Sequence, residues 1–152
     1  MSKHYWLMKS EPEVFSIDQL QKDDTTCWEG VRNYQARNFM KEMSLDDKVL
    51  FYHSNAEPSG IAGLATISKL AGPDQTQFNN KSEYYDPKST PANPRWYCVQ
   101  VQYEKKFKNF ISLEDLKNVK DLENMMVLKK GQRLSIQPVT EQEFLLIKKM
   151  GN

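Results

Sequence analysis

The stretch Trp28-Glu29-Gly30-Val31-Arg32-Asn33-Tyr34-Gln35-Ala36-Arg37-Asn38 decides how the rest of the chain is read. It opens as a connection, residues 27–31, that carries a bulky indole and a glycine. It then becomes a helix, because Ala36, Phe39, Met40 and Met43 recur at i, i+3, i+4 and i+7. That stripe faces a core. Asn33 and Arg37 fall at one edge of it and Tyr34 on the outer side. An edge position lets a polar side chain reach a cleft while its helix stays anchored. Asn33 suits equally the capping of the helix it opens.

Upstream, Tyr5-Trp6-Leu7-Met8 reads as a strand, stopped at Glu11-Pro12 because proline cannot donate to a ladder. Ser16-Ile17-Asp18-Gln19 has the capping-box pattern and predicts a short helix to about Lys22. Downstream, residues 49–53 and 61–67 predict two strands around a polar loop, residues 54–60. Residues 71–95, rich in Pro, Asn, Asp, Ser and Thr, form a long and largely irregular excursion, the kind that is usually functional or mobile. Residues 96–107 predict a long strand and residues 133–139 a half-buried one cut off at Pro138. Helix-start signals stand at Ser112-Leu113-Glu114-Asp115 and Thr140-Glu141-Gln142-Glu143, the last helix turning Phe144, Ile147 and Met150 inward. Strands and short helices in this order, without βαβ alternation, predict an α+β fold: a mostly antiparallel sheet or small β-barrel with flanking short helices, in one domain over residues 1–152.

Composition narrows the function. With 39% hydrophobic and 27% charged residues, the 152-residue chain is globular rather than disordered. A net charge of +1 argues against gripping long duplex DNA through phosphates alone, though not against a local basic rim. No stretch is apolar enough to cross a bilayer, and Met1-Ser2-Lys3-His4 shows no signal-peptide pattern, so a cytoplasmic location away from membranes is expected; a monomer is also expected. Cys27 and Cys98 are expected to be reduced, buried thiols. With His4 and His53 they are too scattered for a metal site, and no cofactor is expected.

A triad needs a histidine base, and His53, the single internal histidine, ends an apolar strand. Nucleophile-elbow, Walker and dinucleotide motifs are missing. Binding is better supported. Four segments hold more polar and aromatic residues than packing requires: residues 7–12, 28–38, 51–54 and 134–139. Trp28 suits the stacking face for a base, with Tyr34 a second candidate. Ser10, Asn33, Ser54 and Gln137 suit readout of a base edge, and Lys9, Arg32, Arg37 and Arg133 suit flanking phosphates. Lys88 adds to the rim and Pro138 to the pocket wall.

These segments, in this order, resemble the EVE domain family. Further matches lie at Tyr84-Tyr85-Asp86-Pro87-Lys88, Pro94-Arg95-Trp96 and Lys130-Gly131-Gln132-Arg133. One departure is Leu45-Asp46-Asp47-Lys48, where a glycine is expected before the acid. The resemblance implies a PUA-like fold and a pocket for one extruded, modified base, with modified cytosine in DNA favoured. An RNA-binding module, an enzyme acting on a nucleotide in the same pocket and a protein-docking patch stand as rival readings.

Overall fold

The computed structural model describes residues 4–131 and 133–152. Gln132 of the Lys130–Arg133 match, and the first three residues read for a leader pattern, lie outside them. Six strands form one sheet: β1 (Tyr5–Ser10), β2 (Thr25–Cys27), β3 (Lys48–His53), β4 (Gly60–Pro73), β5 (Tyr97–Ser112) and β6 (Ile136–Val139). Their order is β2-β5-β4-β3-β1-β6, with β1 and β3 parallel and the other pairs antiparallel. The sheet is open, with β2 and β6 at its edges, so the barrel alternative does not hold.

The central strands are covered on both faces, which explains their unbroken apolar runs. Trp6, Met8, Val49 and Phe51 point to one side, against Ile17 and Leu20 of α1 (Ile17–Asp23) and Ala36 and Met40 of α2 (Tyr34–Glu42). Leu7, Leu50 and Tyr52 point to the other, against Leu116 of α3 (Leu113–Lys117) and Phe144 and Ile147 of α4 (Glu141–Gly151). Successive strand side chains thus build two cores back to back. Full capping boxes open α3 at Ser112 and α4 at Thr140. At α1 only half forms: Ser16 accepts from the Gln19 amide at 3.1 Å, but the Gln19 side chain donates to Asp23 at 2.9 Å instead.

Several boundaries move. Strand β5 starts at Tyr97 and continues past Phe107 to Ser112, and β4 continues to Pro73, with register shifts along both that let long strands bend. Strand β6 begins at Ile136, leaving Arg133 before it. Residues 25–27 form a short strand paired with β5, so Cys27 belongs to the sheet rather than to the connection expected over residues 27–31.

The excursion is ordered by buried polar side chains. Gln77, fully buried, donates to the carbonyls of Asp74 and Trp96, both at 2.8 Å. Its carbonyl oxygen accepts from Ser89 at 2.5 Å and from the Trp96 amide at 3.0 Å. Asp74, also fully buried, accepts from the amides of Gly30 at 2.8 Å and Thr76 at 2.9 Å. Polar groups that leave water are affordable only when paired, and here the pairing ties residues 74–96 to the segment after Trp28.

Candidate base-binding cleft

A cleft of about 330 Å³ opens where β1 and β2 end. Lys9 and Ser10 come from β1, Glu11, Val14 and Phe15 from the segment before α1, and Thr26 and Cys27 from β2; Trp28, Glu29 and Tyr84 complete the walls. That volume lies at the small end of ligand sites, about 300–1,000 Å³. Trp28 is 8% exposed, braced edge-on by Phe51 with centroids 5.6 Å apart. The indole therefore belongs to the core and also lines the cleft.

Gly30 explains how Tyr84 reaches the cleft from so far along the chain. Its φ is +85°, and a Cβ there would lie 2.6 Å from the Tyr84 ring. Only glycine accommodates both the left-handed backbone and the ring. Arg32 holds Tyr84 from the other side: it donates to the Tyr84 carbonyl at 2.7 Å, to Thr76 at 3.1 Å and to Asp74 at 3.2 Å.

The residues expected to form the site divide into two groups. Trp28, Ser10 and Lys9 line the cleft. Within it the Ser10 hydroxyl is already committed, donating to the Phe15 carbonyl at 2.6 Å. Asn33, Tyr34, Ser54, Gln137 and Pro138 do not line it. Asn33 caps α2, accepting from the Ala36 amide at 2.9 Å. Exposed Tyr34 stacks on Trp96, centroids 4.8 Å apart, with the Arg37 guanidinium 4.7 Å from its ring. The Ser54 amide donates to the Ser10 carbonyl at 3.0 Å, tying the loop after β3 to β1. Buried Gln137 donates to the Leu134 carbonyl at 2.8 Å. Pro138 faces Trp6 in the sheet register, with the cavity beside Trp6 and Phe39.

The basic residues also separate. Arg32 points inward, and Arg37 donates to the Arg95 carbonyl at 2.9 Å and to Asn38. Lys88 sits exposed on the turn closed by Asp86, and Arg133 is exposed. Lys9 stands between two clefts. The second, about 540 Å³, is lined by Lys9, Tyr52, Lys117, Lys129 and Lys130 together with apolar groups. The Lys9 ammonium lies 5.8 Å from the Tyr52 ring centroid, and burial lowers its pKa.

Seven residues that line the first cleft carry no site assignment from sequence: Glu11, Val14, Phe15, Thr26, Cys27, Glu29 and Tyr84. The expectation of two buried thiols fails at Cys27, which is exposed because edge strand β2 turns it outward. Cys98 is half-buried, and burial followed by the charge of Asp74 pushes its thiol up to about 12. His53 serves the backbone, its Nε2 accepting from the Ile17 amide at 3.1 Å. Among the described residues no group of three His, Cys, Asp or Glu is placed to hold a metal ion, and no helix is long and apolar enough to cross a membrane.

Comparison with known proteins places this geometry in context. The EVE domain pattern matches residues 4–150. Human thymocyte nuclear protein 1 is 48% identical over 95% of this chain and 72% of its own length. A solved structure of a hypothetical protein from Leishmania major superposes with a TM-score of 0.94 at 45% identity, covering 99% of this chain and 95% of that one. A crystal structure of the human THYN1 protein in complex with 5-methylcytosine-containing DNA superposes with a TM-score of 0.91 at 46% identity, covering 99% of this chain and 98% of that one. A pattern match over nearly every residue, with identity this high along whole domains, establishes that the chain belongs to the EVE domain family.

Proposed function

We propose that this protein is a non-enzymatic reader of a modified DNA base, holding one extruded or unpaired methylcytosine in the Trp28 cleft. One observation carries the reading: a base-sized cleft walled by Trp28, Phe15 and Tyr84 lies in a chain 46% identical to a protein whose structure is a complex with 5-methylcytosine DNA. A base taken from its stack loses aromatic neighbours, and stacking on a side chain restores about 1–3 kcal/mol. Lys9, on the cleft wall, supports a flanking phosphate role, as do exposed Lys88 and Arg133 at the surface. Arg32 supports the reading indirectly, by bracing Tyr84.

The test uses Cys27, an exposed thiol on the cleft wall. A single-stranded oligonucleotide carrying one 5-methylcytosine is expected to slow alkylation of Cys27 in the unaltered protein. Tyr84→Ala is expected to weaken binding about 5- to 150-fold, the range that one stacking contact spans. Trp28→Ala is less informative, since removing a buried indole costs about 3–5 kcal/mol of stability. Tight binding with Cys27 alkylated at its free rate would put the base elsewhere and end the proposal.

A further inference from the structure

We infer that the Glu29 carboxylate is the specificity-determining acceptor of the cleft, selecting a base with an exocyclic amino group and so separating 5-methylcytosine from thymine. This rests on the base-reading role of the cleft and goes beyond it by naming the edge that is read.

Most polar groups around the cleft already have protein partners. Ser10 donates to Phe15 at 2.6 Å, and Glu11 accepts from the Asn55 amide at 2.7 Å. Glu29 differs. Its backbone amide is held by the Cys27 carbonyl at 2.9 Å, yet among the described residues no donor reaches its carboxylate and no cation pairs with it. Partial burial, then the negative charge of Asp74, raises its pKa. It is an exposed anion on the cleft wall, pushed by a like charge and open to an N–H from a ligand.

A carboxylate only accepts. Cytosine presents its N4 amino group as a donor, whereas thymine presents the O4 acceptor at the same place. Set against Glu29, the amino group completes a hydrogen bond and the keto oxygen meets a second negative group. 5-Methylcytosine and thymine carry the same 5-methyl group, so apolar contact with that methyl cannot tell them apart. Discrimination falls to the 4-position, where the cleft offers an unpaired acceptor. A reader of methylated cytosine needs this distinction, because deamination converts its ligand into thymine.

The experiment measures binding of single-stranded oligonucleotides identical except for one base, either 5-methylcytosine or thymine, to the parent and to Glu29→Gln. Cys27 protection is followed in parallel. The parent is expected to favour 5-methylcytosine about 5- to 150-fold, the discrimination that one well-placed base-edge contact provides. Glu29→Gln is nearly isosteric and its amide both donates and accepts, so the ratio should collapse towards one while Cys27 remains protected. Equal affinity of the parent for the two bases overturns the inference, as does a variant that keeps the parent's ratio. In either case, continued protection of Cys27 leaves the base-reading role standing; loss of protection in the parent removes that role and this inference together.

Discussion

The Arg32 guanidinium meets the fully buried Asp74 carboxylate at 3.2 Å. Asp74 also accepts from the amides of Gly30 and Thr76 and from the Thr76 hydroxyl, so one carboxylate joins the Trp28 segment to the excursion that delivers Tyr84. Asp74→Asn leaves Arg32 without its counter-ion and turns an amide N–H toward donors. The expected loss is about 3–5 kcal/mol, as for other broken buried pairs. The pH dependence has a definite sign. Burial raises the Asp74 pKa, but hydrogen bonds from Thr76, Gly30 and Arg32 outweigh it and hold the folded value below the ordinary 3.8. The unfolded chain therefore takes up the proton first. Stabilisation is complete above the ordinary value and is lost as pH falls through the folded one. Urea unfolding at pH 7 and pH 3 should show the gap between parent and Asp74→Asn narrowing in acid; a constant gap would separate the pair from the acid response.

What the sequence made legible followed from periodicity. Residues 5–8 and 49–53 advertise strands because both faces are buried, and Ala36, Met40 and Met43 advertise a helix because one face is. The strand ends were harder to read, since β4 and β5 continue through register shifts that break the alternation. The excursion looked irregular because its order comes from Asp74 and Gln77, whose partners lie up to 44 residues away and leave no local pattern. The site divides on the same principle. Trp28, Ser10 and Lys9 lie near strand ends and line the cleft. Asn33 and Gln137 have the right chemistry for readout but spend it on backbone groups. Glu29 has no sequence signal beside its conspicuous neighbour, since an acid in a turn reads as surface until the fold places it on the wall of a cleft.

His53 gives a response nearer neutrality. Its Nε2 accepts from the Ile17 amide, so the neutral ring is the form that anchors the start of α1. Burial lowers its pKa; Asp18 opposes this and Lys106 adds to it. With the folded value below the ordinary 6.5, the unfolded state binds the proton more readily. Stability from this contact is present above about pH 6.5 and falls as pH drops through the folded value. His53→Gln keeps an acceptor without the titration. Thermal unfolding between pH 7 and pH 5 should therefore show a shallower decline in the variant than in the parent; parallel curves would exclude His53 as the source.

Asp46 occupies the place where family resemblance calls for glycine, and its φ is +71°. The left-handed conformation costs an L-residue about 1–2 kcal/mol, less for aspartate than for most. Glycine avoids that cost but gives back about 0.5–1 kcal/mol in chain entropy. The Asp46 amide, bonded to the Ile67 carbonyl at 2.9 Å, is retained by either residue. Asp46→Gly is thus expected to stabilise slightly, raising Tm by about 1–3 °C. A lower Tm would indicate that the exposed aspartate side chain contributes more than its backbone costs.

The second cleft yields a prediction about salt. Lys9, Lys117, Lys129 and Lys130 line it, and none is ion-paired with a described carboxylate. In a chain of net charge +1, that local concentration of cations is out of proportion to the whole. Lys9 also borders the Trp28 cleft, so a strand whose base enters the first cleft has its backbone led toward the second. Each phosphate neutralised on a single strand contributes about 0.7 to the slope of log affinity against log salt. Replacing Lys117, Lys129 and Lys130 together by glutamine should flatten that slope by about 0.7 for each phosphate contact removed, and equally for methylated and unmethylated oligonucleotides. Tyr84→Ala should do the reverse, lowering affinity for the modified base at every salt concentration with the slope intact. An unchanged slope in the triple variant would mean that the backbone leaves the first cleft by another route, with exposed Lys88 the next cation to replace.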